Sequence, residues 1–293
     1  MAVSTVGVIG AGQMGSGIAQ VTAQAGIPVL MHDVSKEVVK HGLDGIGRNL
    51  DRMIQRGRFK PEDRERVMRR VETSINLEDF ARVDFVIEAA VEQEDVKIAL
   101  LQKLDKICPP ETIFASNTSS ISITRMGART SRADRVIGMH FMNPVPAMKL
   151  VEIIRGLATS DVTFEQTREL AEKLGKATMT AQDFPGFIVN RVLLPMINEA
   201  IYTLYEGVGG VTDIDTAMKL GTNQPMGPLE LADLIGLDTC LAIMEVMQRV
   251  LGDDKYRPCP LLKKYVDAGY LGRKSGRGFY IYNEQGNPVP PPH

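Results

Sequence analysis

The sequence has few cysteines, which limits the redox and metal chemistry that it can carry. The three cysteines, Cys108, Cys240 and Cys259, are odd in number and show neither C-x-x-C spacing nor histidine neighbours. This pattern argues against a disulfide framework and against a zinc site. We therefore expect three reduced, mostly buried thiols and no metal ion.

Long apolar runs and an excess of one charge are also absent. No stretch reaches the roughly 18 uninterrupted apolar residues that a membrane span needs. The N-terminus has neither the basic region of a secretion signal nor the Arg-rich pattern of a transit peptide. The formal net charge is only -2, so the chain has no general attraction for nucleic acid or for an anionic membrane. We expect a cytoplasmic protein with no nucleic-acid or membrane partner.

The length of 293 residues favours two domains, because each half is long enough to bury its own interior. Apolar residues make up 44% of the chain and charged residues 24%, which is typical of a globular protein. The pattern changes after Asp183, where Phe184-Pro185-Gly186-Phe187 interrupts the chain. We therefore place a first domain at residues 1–183 and a second at residues 184–293, with a substrate cleft between them.

The first part of the chain alternates between short apolar runs and helical segments. Residues 3–33 combine an apolar run, a glycine-rich turn, a helical stretch and a second apolar run, which is one β-α-β unit. Further apolar runs lie at residues 84–87, 112–115 and 135–139. Such alternation predicts an α/β domain of the Rossmann type, a doubly wound and largely parallel sheet with helices on both faces.

The second part has helical apolar spacing, so we expect an all-α domain. Two long stretches, Ile188 to Tyr205 and Pro228 to Leu251, are apolar over much of their circumference. This pattern is typical of helices that are buried on more than one side. Because such helices suit a dimer interface as well as a domain core, we expect a homodimer or a larger homo-oligomer.

A glycine-rich turn joins the first predicted strand to the first predicted helix. Its sequence is Gly10-Ala11-Gly12-Gln13-Met14-Gly15. In dinucleotide-binding units Gly10 would permit the tight turn, Gly12 would let a pyrophosphate approach the backbone, and Gly15 would let helix and strand pack closely. The N–H groups of the helix start, at Gln13 and Met14, would hold the phosphates. The alternative is a tight turn that is rich in glycine for packing alone.

An acidic residue, Asp33, closes the second predicted strand. It lies about twenty residues past the glycines, where a carboxylate would meet the hydroxyls of the adenosine ribose. Its charge would repel a 2'-phosphate, so we expect NAD as the cofactor. His32 and Lys36 nearby leave NADP as an alternative.

His140 is the histidine best placed for proton transfer. The other three are His32 beside Asp33, His41 in a polar helical region and the terminal His293. His140 ends an apolar run, and the chain returns as a strand from Lys149, so a reversal near Pro146 would place Glu152 opposite His140. A carboxylate there would orient an imidazole that exchanges protons. The alternative is a strand-end histidine in an incidental ion pair.

A polar loop, Ser116-Asn117-Thr118-Ser119-Ser120, follows the predicted strand at residues 112–115. Open α/β sheets bind their ligands at such carboxyl ends of strands. A helix N-cap favours the same residue types, and both interpretations can hold together. Asn190 interrupts an apolar helical stretch and needs partners if it is buried. It is either a structural hydrogen-bonding group or a substrate contact.

These features together resemble the 3-hydroxyacyl-CoA dehydrogenase family, and within it the short bacterial 3-hydroxybutyryl-CoA dehydrogenases. The resemblance covers essentially the whole chain, and its motifs occur in the order that the family has. They are Val8-Ile9-Gly10-Ala11-Gly12, Val86-Ile87-Glu88-Ala89-Ala90, Ser116-Asn117-Thr118-Ser119-Ser120, Gly138-Met139-His140-Phe141-Met142-Asn143-Pro144, Pro185-Gly186-Phe187-Ile188-Val189-Asn190-Arg191, Gly227-Pro228-Leu229-Glu230-Leu231 and Gly272-Arg273-Lys274-Ser275-Gly276-Arg277-Gly278-Phe279-Tyr280.

The resemblance implies an NAD-dependent enzyme that interconverts (S)-3-hydroxyacyl-CoA and 3-oxoacyl-CoA, with a short acyl chain such as 3-hydroxybutyryl. It makes His140 the catalytic base and Glu152 its partner. It also implies that Ser119 and Asn190 contact the reacting oxygen of the substrate or its thioester. Contacts to the nicotinamide and its ribose are implied for Glu92, Lys97, Asn117, Ser119 and Asn143. By themselves Glu92 and Lys97 would pass for solvated helix charges.

A row of arginines, Arg48, Arg52 and Arg56, is spaced to share one face of the helix after the second strand. The resemblance implies that basic residues here, Arg52 and Arg56 among them, bind the phosphates of CoA, although such a row is otherwise a solvated face. One rival function is a dehydrogenase of a free hydroxy acid or sugar acid, against which the basic row weighs. Another is a non-catalytic, crystallin-like relative, against which the intact set of candidate catalytic residues weighs.

Overall fold

The computed structural model describes residues 3–289 of the chain. It divides into two compact units, Met1–Phe187 and Ile188–His293. His293, the terminal histidine considered above, lies outside the described residues. Within residues 3–289 no helix is long and apolar enough to cross a membrane.

An eight-stranded sheet forms the centre of the first unit. Its strands are β1 Val6–Ile9, β2 Val29–His32, β3 Val71–Ser74, β4 Phe85–Glu88, β5 Ile113–Ser116, β6 Val136–Phe141, β7 Leu150–Arg155 and β8 Ala177–Gln182. They lie in the order β3-β2-β1-β4-β5-β6-β7-β8. All neighbours are parallel except β6 and β7, which form an antiparallel pair. The predicted doubly wound, largely parallel sheet is confirmed.

The central strands are buried on both faces, as is usual in a parallel sheet. Every residue of β1, β2, β4, β5 and β6 is buried, so these strands appear in the sequence as apolar runs. The two edge strands, β3 and β8, are partly exposed and were not predicted. A short edge strand with polar side chains has no apolar run that would reveal it.

Helices cover both faces of the sheet. They are α1 Gln13–Gln24, α2 Lys36–Gln55, α3 Pro61–Met68, α4 Glu94–Ile107, α5 Ile123–Gly127 and α6 Asp161–Lys173. One apolar core includes Ile18 of α1, Leu50 of α2 and Leu170 of α6. A second core includes Leu101 of α4 and Met126 of α5. Because both faces are covered, the carboxyl ends of the strands are left as the edge where a ligand can bind.

The second unit is mainly helical. Its elements are α7 Val189–Tyr205, α8 Val211–Gly221, α9 Pro228–Ile235, α10 Leu237–Leu251, α11 Pro260–Asp267 and the strands β9 Ile281–Tyr282 and β10 Pro288–Val289. The two strands pair in antiparallel fashion. The expected all-α domain therefore has one addition, a short hairpin, which the helical apolar spacing had not indicated.

The apolar stretch from Pro228 to Leu251 forms two helices rather than one. Gly236 ends α9 and precedes α10, and its φ of +103° is a conformation that L side chains rarely adopt. The expectation of one long helical stretch was wrong here, because the apolar periodicity continues through the break. A single glycine inside a helical pattern does not by itself mark a helix end.

Asp233 fixes the chain segment that precedes β9. This fully buried carboxylate accepts the backbone N–H groups of Phe279 and Tyr280, each at 2.9 Å, and the hydroxyl of Tyr282 at 3.0 Å. A Cβ on Gly278 would lie 1.9 Å from Asp233 Oδ1. Burial outweighs these hydrogen bonds and raises the pKa of Asp233 to about 6. The glycine-rich motif around Gly278 therefore has a packing role in the second unit.

The three cysteines are free and buried, as predicted. Burial raises the pKa of all three thiols, to about 12 for Cys108 and Cys240. They are therefore protonated at neutral pH and poor nucleophiles. Across the described residues, no group of three or more His, Cys, Asp or Glu side chains could hold a metal ion.

Candidate active site

The glycine-rich turn between β1 and α1 has the geometry that its sequence predicts. Gly10 has a φ of +99°, and a Cβ there would lie 2.4 Å from the carbonyl oxygen of Ala89. A Cβ on Gly15 would lie 1.7 Å from the carbonyl oxygen of Gly10, so only glycine lets α1 approach β1 this closely. A Cβ on Gly12 would meet no atom within 4 Å. The backbone at Gly12 is therefore open to a ligand.

The start of α1 can accept an anion. No side chain caps this helix, and its first turn, which begins at Gln13 and Met14, contains no acidic residue. Its free N–H groups and the helix dipole are therefore available to a negatively charged group. Together with the open space beside Gly12, this arrangement fits the pyrophosphate of a dinucleotide.

Asp33 follows β2 and is directed toward the glycine-rich turn. Its Oδ2 accepts the N–H of Ala11 at 2.7 Å, and its Oδ1 accepts the N–H of Val34 at 2.7 Å. The parallel register places Ile9 of β1 opposite His32 of β2, which brings the ends of both strands together. A half-buried carboxylate held in this way can accept ribose hydroxyls and disfavour a 2'-phosphate.

Glu92 holds the serine-rich loop after β5. Its Oε1 accepts the hydroxyl of Thr118 at 2.5 Å, the N–H and hydroxyl of Ser119 at 2.8 and 3.2 Å, and the N–H and hydroxyl of Ser120 at 3.2 and 3.1 Å. Burial raises the pKa of Glu92, but the charge of Lys97 and these hydrogen bonds outweigh burial, so the pKa is lowered. Glu92 and the serine-rich loop therefore form one connected group.

Lys97 on α4 is only 1% exposed and lies between two carboxylates. Its Nζ contacts Glu88 Oε1 at 2.7 Å, the carbonyl oxygen of Ala90 at 3.2 Å and Glu92 Oε2 at 3.4 Å. It is therefore not the solvated helix charge that the sequence pattern alone suggested. Sequence reasoning missed Glu88, and the available signal was an acidic residue that closes an otherwise apolar strand.

Two asparagines connect the loops at this edge of the sheet. Asn117 Oδ1 accepts the N–H of Phe141 at 2.8 Å, which links the serine-rich loop to β6. Asn143 Oδ1 accepts Nε2 of Gln13 at 3.0 Å, which links the loop after β6 to the start of α1. The loops after β1, β5 and β6 therefore meet at the carboxyl ends of the strands, where open α/β sheets bind ligands.

His140 and Glu152 face each other across the antiparallel pair of β6 and β7. They are direct partners in the register of the two strands, and His140 Nδ1 lies 2.8 Å from Glu152 Oε2. Both residues are buried, with 7% of His140 and 0% of Glu152 exposed. The predicted contact is confirmed. Because the carboxylate engages Nδ1, the other ring nitrogen, Nε2, is the one that can exchange a proton with a ligand.

Phe187 packs against the ring of His140, with the ring centroids 5.6 Å apart and the planes at 60°. It is buried and has a φ of +48°, which is unusual for a bulky residue. The sequence indicated only a domain boundary at this position, because no local pattern reports a contact between distant rings. With Glu152 and Phe187 against it, the imidazole of His140 is held in one orientation.

The remaining predicted residues lie on α7 and α2. Asn190 is the second residue of α7 in the second unit and is buried. Arg48 and Arg52 are exposed on α2, whereas Arg56 is its C-cap residue. The expectation that all three arginines lie within one helix was therefore wrong by one residue, because α2 ends at Gln55.

The described geometry combines an anion-binding turn, a carboxylate placed for a ribose and a buried histidine–carboxylate pair. These are the parts of a nicotinamide-dependent dehydrogenase. The turn and the acid suit the cofactor, and a histidine suits the proton that moves when a hydroxyl is oxidised.

Comparison with known proteins identifies the family. Residues 5–184 match the 3-hydroxyacyl-CoA dehydrogenase NAD binding domain, and residues 186–282 match the C-terminal domain of the same family. The chain is 58% identical to the 3-hydroxybutyryl-CoA dehydrogenase of Bradyrhizobium diazoefficiens, over 98% of each chain. It is 57% identical to a probable 3-hydroxybutyryl-CoA dehydrogenase of Bacillus subtilis, over 97% of this chain and 99% of the relative.

A solved structure agrees with this result. The (S)-3-hydroxybutyryl-CoA dehydrogenase of Ralstonia eutropha has 50% sequence identity and a TM-score of 0.92, over 97% of this chain and 100% of that structure. The chain therefore belongs to the 3-hydroxyacyl-CoA dehydrogenase family. The predicted resemblance, and with it the assignment as an oxidoreductase that uses NAD, is confirmed.

Proposed function

We propose that the protein catalyses the NAD-dependent oxidation of (S)-3-hydroxybutyryl-CoA to acetoacetyl-CoA and the reverse reduction. The observation that carries this proposal is the buried contact of 2.8 Å between His140 and Glu152, on a sheet whose glycine-rich turn fits a dinucleotide. The names of relatives that are 58% and 57% identical support the choice of substrate.

In the proposed mechanism His140 is the catalytic base. Its Nε2 accepts the proton of the substrate's 3-hydroxyl group during oxidation. When bound, NAD supplies the acceptor for the hydride that leaves C3. Glu152 orients the imidazole through Nδ1 and stabilises the positive charge that His140 gains. In the reduction the imidazolium returns its proton to the oxygen atom of the substrate.

The proposed cofactor site follows the carboxyl edge of the sheet. The pyrophosphate would lie against Gly10, Gly12, Gln13, Met14 and Gly15, and the adenosine ribose against Asp33. The nicotinamide and its ribose would be surrounded by Asn117, Ser119, Asn143, Glu92 and Lys97. The contacts between Glu92 and the serine-rich loop, and between Asn143 and Gln13, support this placement, because they gather these groups at one edge of the sheet.

For the substrate, we propose that Ser119 and Asn190 contact the reacting oxygen or the thioester, and that Arg52 and Arg56 contact the phosphates of CoA. Both arginines are exposed, and among the described residues neither forms an ion pair, whereas the nearby Arg64 is paired with Asp51. Free guanidinium groups of this kind suit phosphate binding.

We further propose that residues 1–183 bind NAD, and that residues 184–293 complete the substrate cleft and form a homodimer or larger homo-oligomer in the cytoplasm. Large apolar side chains are exposed in the second unit, with Val192 68%, Val208 74% and Leu220 82% exposed. An apolar cavity of about 450 Å³ lies between α7 and α8. Exposed apolar surface of this kind is typical of a protein interface.

The initial rate of NADH oxidation with acetoacetyl-CoA tests the proposed function, with NADPH and with free acetoacetate as parallel reactions. We expect rapid loss of NADH with the thioester and little with either alternative. If NADH binds but the thioester gives no rate, the acyl-CoA assignment is wrong and the dinucleotide site remains. If free acetoacetate reacts equally well, a dehydrogenase of free acids is the better assignment.

The variant His140→Gln tests the role of the histidine. We expect turnover to fall by about a hundredfold or more, because the general base is lost, while the Kd of NADH stays close to that of the wild type. His41→Gln is the matched control, since His41 is exposed on α2. Near-normal turnover of His140→Gln would rule out the proposed base.

A further inference from the structure

We propose that Glu88 is a positioning residue of the cofactor site, which acts through Lys97 and Glu92 on the serine-rich loop at Ser119. The proposal rests on the proposed function in one respect, the placement of Glu92 and Ser119 at the nicotinamide half of the cofactor. Its test uses NADH affinity, which can be measured whether or not acetoacetyl-CoA is a substrate.

Glu88 lies at the centre of the sheet edge that carries the candidate site. It is the last residue of β4 and is fully buried. In the strand register it is opposite Ile9 of β1 on one side and Ser116 of β5 on the other. Its backbone therefore lies between the strand that leads into the glycine-rich turn and the strand that leads into the serine-rich loop.

The carboxylate of Glu88 is fully engaged by groups of this edge. Its Oε1 accepts the N–H of Ala90 at 2.6 Å and contacts Lys97 Nζ at 2.7 Å, and its Oε2 accepts the hydroxyl of Ser116 at 2.6 Å. These contacts join the chain after β4, the helix α4 and the end of β5. Glu88 therefore holds Lys97 at a fixed position below the loops.

Lys97 passes this constraint to Glu92. Its ammonium group also contacts Ala90 O and Glu92 Oε2, so its three donors each have an oxygen partner within the protein. Glu92 in turn accepts from both the N–H and the hydroxyl of Ser119. A continuous series of charged and polar contacts thus runs from the buried Glu88 to the loop at the surface of the site.

A purely stabilising role explains this arrangement poorly. Two charges buried as deeply as Glu88 and Lys97 lose most of the energy of hydration, and their mutual attraction offsets that loss only partly. An apolar pair of similar volume would serve stability as well. The third member, Glu92, has a side chain that is 39% exposed and contacts the loop. The buried pair is therefore connected through Glu92 to the surface of the site.

The test compares Glu88→Gln, Lys97→Met and the double variant with the wild type, by fluorescence titration with NADH and by steady-state kinetics. We expect Glu88→Gln and Lys97→Met each to weaken NADH binding about tenfold, and the double variant to be no weaker than Lys97→Met alone, because both changes break one series of contacts. The KM for NADH should rise by a similar factor.

The matched control is Glu94→Gln, which removes a carboxylate at the start of α4 that is paired with Arg125 rather than with Lys97. It should bind NADH as the wild type does. If Glu88→Gln lowers the melting temperature while the Kd and KM for NADH stay unchanged, Glu88 is only structural and the proposal is wrong. Additive losses in the double variant would also overturn it, since Glu88 would then act independently of Lys97.

Folding of the variants does not limit the test. Glu88→Gln leaves Lys97 with only the more distant carboxylate of Glu92, at 3.4 Å, as its ionic partner. If this variant does not fold, the double variant, with a neutral pair of similar shape, decides the question. Wild-type affinity for NADH in the folded double variant would overturn the proposal. If the wild type binds NADH but does not reduce acetoacetyl-CoA, the proposed substrate is wrong, and the NADH affinities still decide the role of Glu88.

Discussion

The substitution Glu152→Gln should slow the reaction about a thousandfold while the fold and NADH binding are retained. It keeps the shape of the side chain and an oxygen that can accept from Nδ1 of His140, but it removes the negative charge. During oxidation His140 gains a positive charge as it takes the proton. The variant therefore loses the electrostatic partner of that charge in the transition state.

The size of the effect follows from the geometry of the pair. The contact of 2.8 Å places the charge centres about 4 Å apart, where two unit charges attract by about 4 kcal/mol at an effective dielectric constant of about 20. The side chains are 9% and 1% exposed, so dissolved salt screens them little. At 1.36 kcal/mol for each factor of ten, about 4 kcal/mol corresponds to roughly three orders of magnitude in rate.

The assay measures kcat/KM in both directions, with (S)-3-hydroxybutyryl-CoA and NAD and with acetoacetyl-CoA and NADH. Both directions should slow by the same factor, because a variant cannot change the equilibrium of the overall reaction. The Kd of NADH and the melting temperature show whether the site and the fold are intact. Glu72→Gln is the control, since Glu72 lies on the edge strand β3 in an exposed ion pair with Arg82.

A loss of less than about tenfold, with NADH binding intact, would refute this reasoning, because the charge of Glu152 would then not stabilise the imidazolium. Restoration of the rate by added salt would also contradict it, since the argument depends on a pair that solvent does not reach.

Asp33→Ala should lower the preference for NADH over NADPH by about tenfold, because it removes a carboxylate that repels a 2'-phosphate. The ratio of kcat/KM for NADH to kcat/KM for NADPH measures this preference, and an unchanged ratio would contradict the prediction. Replacing Arg52 and Arg56 together by Gln should raise the KM for acetoacetyl-CoA several-fold, with the Kd of NADH unchanged, and the effect should diminish at high salt. The control is Arg69→Gln, since Arg69 is exposed and already paired with Glu65. An unchanged KM in the double variant would exclude a contact of these arginines with CoA. The pKa of Asp233 is raised from 3.8 to about 6 in the fold, so the native state holds this proton more tightly than the unfolded chain does. The resulting contribution to the free energy of unfolding, about 3 kcal/mol, is complete below about pH 4 and is lost as the pH rises through about 6. Urea unfolding of the wild type and Asp233→Asn across this range tests the sign, and parallel pH profiles would refute it.

The elements that were predicted correctly have local causes. The turn at Gly10 needs a positive φ, which is a property of one residue and is visible in the sequence. The contact of His140 with Glu152 was predictable because an antiparallel pair brings together residues that are equidistant from the turn. The buried strands were predictable because a parallel sheet needs apolar side chains on both faces.

The errors in the predicted elements also have physical causes. The edge strands β3 and β8 lack an apolar run, since half of their surroundings is solvent. The break at Gly236 was missed because the apolar periodicity of α9 continues into α10. The end of α2 before Arg56 was missed by one residue, a distance at which helix ends are not well defined by sequence.

The sequence by itself determined the class of fold, the dinucleotide turn with its acid, and the pairing of His140 with Glu152, because each depends on chain periodicity or on the spacing of a few neighbouring residues. Only the tertiary structure decided that Lys97 is buried between Glu88 and Glu92 and that Phe187 packs on His140. These contacts depend on how α4 packs against the ends of β4 and β5 and on the backbone conformation at Phe187. Burial of a charge is a property of the packed sheet and helices together, and no local pattern in the chain contains it.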